Sequence, residues 1–139
     1  MKELRNQQIV SLVRRFQNQS HVLLSEPDVA AYCVGHSCPM AVVRARSEED
    51  LLHWVRESYR QSATVNVWGA GYHQNMGGPV AEHDLTLVTA DLAEVVEYEP
   101  DNQTVTVQSG VCLNKLQTHL RQQKQFLPLN PPRAGSATA

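Results

Sequence analysis

Four glycines within ten residues follow a short apolar segment, and this cluster constrains the fold more than any other feature of the chain. The segment TVNVW, residues 64–68, alternates and is rich in β-branched side chains, which predicts a strand. Gly69, Gly71, Gly77 and Gly78 come directly after it. Glycine packs no side chain and loosens the unfolded chain, so a cluster is expected to provide turns with positive φ or a close approach to the main chain. We therefore expect an exposed loop where this strand ends.

Apolar periodicity on both sides of the loop predicts an α+β fold with parallel and antiparallel strands mixed. Helices are expected over residues 3–18, from Ser47 to residue 61, and over 112–125; strands are expected over 41–45, 64–68, 84–91 and in a hairpin between Val95 and Val107. The predicted apolar stripes of the helices are Ile9, Leu12, Val13 and Phe16 in the first, Leu51, Leu52, Val55 and Tyr59 in the second, and Leu113, Leu116 and Leu120 in the third. The turn chemistry of PDNQ, residues 100–103, separates the hairpin strands.

Composition excludes several classes of protein. The length of 139 residues suggests one domain, and a net charge of −2 with scattered basic residues argues against a nucleic-acid surface. No apolar run approaches the roughly 20 residues of a membrane span, and the first residues have no signal-peptide pattern. Three cysteines, an odd number, argue against a disulfide framework and predict a reducing, cytoplasmic location.

The residues around the glycines allow more than one ligand. A Rossmann turn is disfavoured because YHQNMGGPV, residues 72–80, is not a helix start, and a P-loop is excluded because no Gly-Lys-Ser/Thr follows. A nest of backbone N–H groups that binds a diphosphate stays open. A glycine-rich loop that binds nothing also stays open at this point.

Four blocks of sequence occur in an order that is typical of one protein family. They are residues 24–55, the glycine loop 67–78 (VWGAGYHQNMGG), residues 86–120, and FLPLNPPRAGSATA at 126–139. From Ser25 onward the chain resembles the FAD-binding domain of the p-cresol methylhydroxylase and vanillyl-alcohol oxidase superfamily, with glycolate oxidase subunits as the nearest likeness. The glycine motif alone is weak, whereas four blocks in the right order over more than three-quarters of the chain are a specific signal.

The resemblance implies a fold, a cofactor and a set of binding residues. Residues 25–139 would form the first, N-terminal lobe of this FAD-binding domain, a small mixed sheet flanked by helices, after a helix and lead-in over 1–24. No catalytic residue and no metal ligand is expected in the chain. The main chain of five residues is expected at the FAD pyrophosphate: Gly69, Ala70, Gly71, Tyr72 and His73. Gly77 and Gly78 would close the loop. Pro131 and residues 136–138, including Thr138, would approach the flavin from its other side.

Several residues depart from the family pattern. Tyr72 occupies the position nearest to the histidine that attaches FAD covalently in some relatives, so non-covalent FAD is expected, with His73 contributing only its backbone amide. Cys112 starts the third helix and is expected to be buried. In CVGHSC, residues 33–38, a metal site is less expected than a loop with a buried cysteine and a surface histidine. Asp91 is interpreted as a turn or cap residue.

The resemblance also implies a larger parent enzyme. The chain stops at Ala137-Thr138-Ala139, before the glycine pair that is usual in the family, so we expect a fragment of a flavoenzyme that oxidises a small hydroxy acid or alcohol by hydride transfer to flavin N5. Its expected partners are FAD, the remaining lobe and substrate domain of the parent, and a second copy of the fragment. The alternative is a stand-alone interaction or regulatory module that keeps the fold without the cofactor.

Overall fold

The computed structural model describes residues 2–15, 21–23, 29–78, 81–129, 131–132 and 135–138. Within these residues the chain forms three helices and six strands. They are α1 (Lys2–Arg15), β1 (His21–Leu23), β2 (Ala41–Arg44), α2 (Glu48–Arg60), β3 (Val65–Trp68), β4 (Leu85–Val88), β5 (Val95–Glu99), β6 (Thr104–Val107) and α3 (Leu113–Arg121). The predicted α+β class is confirmed, with a mixed sheet and flanking helices.

The main sheet has the order β1-β2-β4-β3. Strands β2, β4 and β3 are parallel, and β1 pairs antiparallel with β2. The two central strands, AVVR and LTLV, are apolar runs that are buried on both faces, as is usual for parallel strands. Because β2, β4 and β3 run parallel, the carboxyl ends of all three strands lie at one edge of the sheet. The glycine loop begins at this edge.

The helices α1 and α2 cover one face of the main sheet. Ile9 and Val13 of α1 and Trp54 of α2 belong to one buried cluster with Val43 and Leu87 of the central strands. Burial of Ile9 and Val13 confirms half of the stripe predicted for the first helix. The side chain of Leu12, residue Phe16 and the predicted helical residues 16–18 lie outside the described residues, and the division of the chain at residues 24 and 25 stays a prediction.

The apolar stripe predicted for the second helix is wrong for three of its four residues, since only Leu51 packs against the buried cluster. The helix buries Trp54 and Ser58, whereas Leu52 and Val55 are half exposed and Tyr59 is 87% exposed. Burial of the indole accounts for this rotation of the helix, because an aromatic ring removes more apolar surface from water than the aliphatic side chains beside it. The predicted start of the helix is confirmed, since the Ser47 hydroxyl accepts a hydrogen bond from the Asp50 amide at 3.1 Å.

The antiparallel hairpin β5–β6 packs with α3 as a second unit of structure. Its turn is the predicted one, with Gln103 at a φ of 56° and its amide donating to the Pro100 carbonyl at 3.1 Å. Leu113, Leu116 and Leu120 are buried, as their spacing predicts. The helix ends at Arg121, four residues earlier than expected, and Lys124 at a φ of 58° lies in the turns that follow.

Candidate functional site

The glycine loop leaves the sheet at the carboxyl end of β3. The Trp68 carbonyl accepts a hydrogen bond from the Thr89 amide at 2.9 Å, so the ends of β3 and β4 stay together. From Gly69 to Gly78 the chain forms bends and turns without a helix. A Rossmann turn requires a helix N-terminus directly after the glycines, so the structure agrees with the sequence in disfavouring that site.

Gly71 allows the loop to fold onto an aromatic ring. Its φ is +79°, a region that residues with a Cβ avoid, and a Cβ at this position would lie 2.4 Å from Trp68 Nε1. The indole of Trp68 therefore packs directly against the main chain of the loop. The close neighbour that requires glycine at position 71 is therefore a side chain of the protein itself.

Gly69 allows a second segment of chain to approach the loop. A Cβ on Gly69 would lie 2.3 Å from Thr138 Oγ1, and the Ala70 amide donates to the same oxygen at 3.2 Å. Thr138 also forms a β-bridge with Cys112 at the start of α3, and the Leu113 amide donates to the Ala137 carbonyl at 2.9 Å. The structure thus brings together two of the segments in which the sequence predicts cofactor contacts.

His73 connects the loop to the other predicted contact segment. Its Nε2 donates to the carbonyl of Pro132 at 2.9 Å, next to Pro131. The sequence interpretation gave His73 only a backbone role, so this contact of its ring is a new feature. It joins the middle of the glycine loop to the proline segment.

The rest of the loop is fixed to β3 by an amide side chain and then becomes exposed. Gln74 Nε2 donates to the Val67 carbonyl at 2.9 Å. Tyr72 is 44% exposed, and both Gly77 and Gly78 are exposed. A Cβ on either glycine would meet no atom within 4 Å, so the far end of the loop faces open space. Close neighbours therefore require glycine at Gly69 and Gly71, whereas at Gly78 it is the φ of +87° that favours glycine.

A cluster of four side chains lies beside the loop at the same edge of the sheet, and the sequence interpretation missed it. Arg44, at the end of β2, donates from Nε and Nη2 to both carboxylate oxygens of Asp91 at 2.9 and 2.6 Å. Arg44 Nη1 also donates to the Tyr32 hydroxyl at 3.3 Å, and the Tyr32 ring meets Trp68 edge-on with 5.2 Å between ring centroids. The hydrogen bond to Asp91 raises the pKa of Arg44 above its usual range. Asp91 is therefore an ion-pair partner, and its interpretation as a turn or cap residue was incomplete.

The cysteines correct three expectations, one of which is the buried cysteine within residues 33–38, since Cys33 is half-buried and Cys38 is exposed. Cys33 and Cys38 form a disulfide, which the odd cysteine count argued against. The segment between them turns back at Gly35, with φ +59°, and this brings the two Cα atoms to 4.2 Å. His36 in this turn is exposed, as expected. Cys112 is a free, partly exposed thiol rather than a buried one. A disulfide is unusual in a reducing compartment, and the cytoplasmic location stays a prediction.

A buried histidine lies at the opposite, amino end of β4. His83 Nδ1 lies 2.7 Å from Ser37 Oγ, and its Nε2 lies 3.1 Å from Thr86 Oγ1. Burial lowers the pKa of His83, and the charge of the neighbouring Asp84 opposes this shift in part. Both ring nitrogens thus have hydroxyl partners, which makes His83 a structural residue. Within the described part of the chain, no cluster of three or more His, Cys, Asp or Glu side chains has a metal-binding arrangement.

Comparison with known families identifies the domain. A family model described as an FAD binding domain matches residues 39–139. The chain belongs to this FAD-binding family. Its recognition as an FAD-binding domain is confirmed, and FAD is the cofactor. The p-cresol methylhydroxylase type is confirmed at the level of the fold, and the special likeness to glycolate oxidase subunits stays a prediction. No curated protein matches the chain significantly.

Solved structures share the fold at low sequence identity. p-Cresol methylhydroxylase with substrate bound superposes with a TM-score of 0.78 at 16% identity, over 93% of this chain and 28% of that one. An alkyldihydroxyacetonephosphate synthase superposes with a TM-score of 0.76 at 17% identity, over 92% of this chain and 30% of that one. The 4-ethylphenol oxidase of Gulosibacter chungangensis superposes with a TM-score of 0.75 at 18% identity, over 95% of this chain and 28% of that one. The chain therefore spans less than a third of the length of these proteins. Among its described helices, none has the length and apolar composition that crossing a membrane requires.

Proposed function

We propose that this FAD-binding domain holds the cofactor's pyrophosphate against the main chain of residues 69–73, with Gly77 and Gly78 at the exposed end of the loop. The observation that supports it most is the contact between Gly69, Ala70 and Thr138. A Cβ at Gly69 would lie 2.3 Å from Thr138 Oγ1, so the close approach of the two segments depends on glycine. Backbone N–H groups can approach a phosphate only where side chains leave room.

The charge of the loop fits a diphosphate. Residues 69–78 contain no aspartate or glutamate, so no carboxylate repels an anion there. They contain no lysine or arginine either, so the available binding groups are main-chain amides and the polar side chains of residues 72–75. Thr138 Oγ1 accepts from the Ala70 amide, so its hydroxyl lies where a phosphate oxygen would compete for the same donor. We expect Thr138 to move or to donate to the phosphate when the ligand binds.

The parent protein, on this proposal, is an oxidoreductase acting on a small hydroxy acid or alcohol. A bound flavin supplies the hydride acceptor, and the residues described here bind and orient it. The remaining lobe and the substrate domain would come from the part of the protein beyond the 28–30% that this chain spans in its structural neighbours. The substrate class rests on the resemblance to glycolate oxidase subunits. Two neighbours are named for p-cresol and 4-ethylphenol, which makes phenols the competing class.

The binding proposal is tested by calorimetric titration of the purified chain with FAD and with ADP, which shares the diphosphate. We expect both ligands to saturate one site. The variant Gly69→Ala should weaken both by tenfold or more, because its Cβ separates the loop from Thr138. Gly135→Ala is the matched control, since a Cβ there meets no atom within 4 Å. Absence of binding by either ligand, or equal affinity in the two variants, would contradict the proposal.

The substrate proposal needs the full-length flavoprotein. Mixed with substrate in the absence of oxygen, its flavin should lose its visible absorbance with a 2-hydroxy acid or a simple alcohol and keep it with p-cresol. Bleaching by the phenol alone would contradict the proposed substrate class while leaving FAD binding intact.

A further inference from the structure

The glycine loop is supported from behind by two aromatic rings. Trp68 packs against Gly71 so closely that a Cβ would come within 2.4–2.6 Å of three indole atoms. Tyr32 in turn contacts Trp68 edge-on at 5.2 Å between centroids, and both belong to the cluster that covers the second face of the main sheet. The position of Tyr32 therefore affects the position of the indole, and the indole determines how the loop folds at Gly71.

A disulfide anchors the residue that follows Tyr32. This residue, Cys33, is joined to Cys38, and Cys38 leads through Pro39 into the buried strand β2. Inside the disulfide ring, Val34 and Ser37 exchange two backbone hydrogen bonds of 2.8 and 3.0 Å. The disulfide thus ties the turn that ends in Tyr32 to the central sheet.

We propose that Tyr32 is a positioning residue for the glycine loop and that the Cys33–Cys38 disulfide sets its position, so that reduction of this disulfide weakens diphosphate binding at the loop. The proposal rests on the proposed function of the loop. In the redox step a dithiol gives two electrons and two protons to the disulfide. The Cys33–Cys38 bond breaks, both cysteines become thiols, and the dithiol closes to its own disulfide.

The effect is expected to be partial. After reduction Tyr32 keeps its hydrogen bond from Arg44, and Val34 keeps its pairing with Ser37. What weakens is the contact between the two rings, and the interaction energy of an aromatic pair corresponds to a factor of about two to ten in affinity. Linkage requires the reverse effect of equal size, so bound ligand must make the disulfide harder to reduce by the same factor.

The first experiment compares ADP affinity of the oxidised and the dithiol-reduced chain. ADP is the probe because a dithiol does not react with it. We expect reduction to weaken binding about two- to tenfold. The double variant Cys33→Ser/Cys38→Ser should bind like the reduced chain and show no response to dithiol. A response that persists in this variant would come from Cys112 and would overturn the proposal.

Tyr32 variants separate positioning from general stability. Tyr32→Phe keeps the ring and should retain the oxidised affinity, whereas Tyr32→Ala should lower it and remove the response to dithiol. Tyr59→Ala, at a tyrosine that is 87% exposed on α2, is the matched control and should change neither. Equal affinities in Tyr32→Ala and Tyr59→Ala, at equal folded fraction, would overturn the role of Tyr32.

A measurement without ligand distinguishes failure of this inference from failure of the proposed function. In the ¹H–¹⁵N spectrum of the chain, reduction should shift the Trp68 indole and the Gly71 amide. If these signals move but no ADP binds in either state, the coupling stands and the proposed function fails. If ADP binds but neither the signals nor the affinity respond to reduction, the inference is wrong and the proposed function stands. Signals that do not move in a chain that binds no ADP contradict both.

Discussion

Replacing Gly71 by alanine tests the packing that shapes the glycine loop. Alanine at the observed φ of +79° costs about 1–2 kcal/mol, because its Cβ crowds the backbone in the left-handed region. The new Cβ would also lie 2.4, 2.5 and 2.6 Å from three atoms of the Trp68 indole, so the ring has to move. Overpacking of this kind costs about 1–3 kcal/mol. Alanine also lowers the conformational entropy of the unfolded chain, and this effect stabilises the folded state by about 0.4–1 kcal/mol. The net loss in the free energy of unfolding is then about 2–4 kcal/mol.

Urea denaturation, followed by circular dichroism, measures this loss. Gly77→Ala is the matched control, because Gly77 has no positive φ and a Cβ there would meet no atom within 4 Å. We expect the control to stay within about 0.5 kcal/mol of the parent chain. In a Trp68→Leu background the Gly71→Ala cost should fall to about 0.5–1 kcal/mol, since only the backbone strain, less the effect on the unfolded chain, remains. Equal stability of the Gly71 and Gly77 variants would refute the proposed contact between Trp68 and the loop.

Three further predictions concern the sheet, the second helix and the buried histidine. Asp91→Asn should lower the free energy of unfolding by about 1 kcal/mol at low salt and by less at high salt. The reason is that the Arg44–Asp91 ion pair is bidentate but partly exposed, with side-chain exposures of 28% and 37%. Denaturation at two salt concentrations checks this. Ser47→Ala should cost about 1 kcal/mol and Ser47→Asp almost nothing, since the N-cap oxygen accepts from the Asp50 amide; thermal melts of the two variants would show equal loss if the cap were unimportant. The pKa of His83 is lowered in the folded chain, whereas in the unfolded chain it has the ordinary histidine value of about 6.5. As the pH falls, the unfolded chain therefore binds a proton at this histidine before the folded chain does. Stability should therefore fall as the pH drops below about 6.5, and His83→Gln should flatten this slope; an unchanged slope in the variant would contradict it.

Local sequence signals predicted most elements of the fold. Alternation in TVTV and the turn residues PDNQ fixed the hairpin, and Ser47 before an acidic turn marked the start of α2. The face of α2 could not be predicted in the same way. The helix buries Trp54, with Leu51 packed against the same cluster, and the choice of this face over the one with Leu52 and Val55 depends on the space between α2 and the sheet. That space is a property of the tertiary packing.

The candidate site was predictable only where its residues are close together in the sequence. The loop at 69–78 follows from its glycines, but its contact with Thr138 joins residues 68 positions apart and was not expected. The family resemblance placed Thr138 only on the other side of the flavin. The pair of Arg44 and Asp91 requires β4 to lie beside β2, an arrangement that the order of strands along the chain does not reveal. Ligand-binding groups at the carboxyl ends of parallel strands are a general feature, and this rule would have singled out both residues.

The central claim is that the glycine loop and the segment at Thr138 form the two sides of one diphosphate site. Titration of the ¹⁵N-labelled chain with ADP, followed by amide chemical shifts, tests it most directly. We predict that the largest shifts occur at Gly69 to His73 and at Thr138, and that the amides of the hairpin turn at residues 100–103 do not move. If the largest shifts fell on the hairpin or on α2, or if no amide of the loop responded at saturating ADP, the claim would be contradicted.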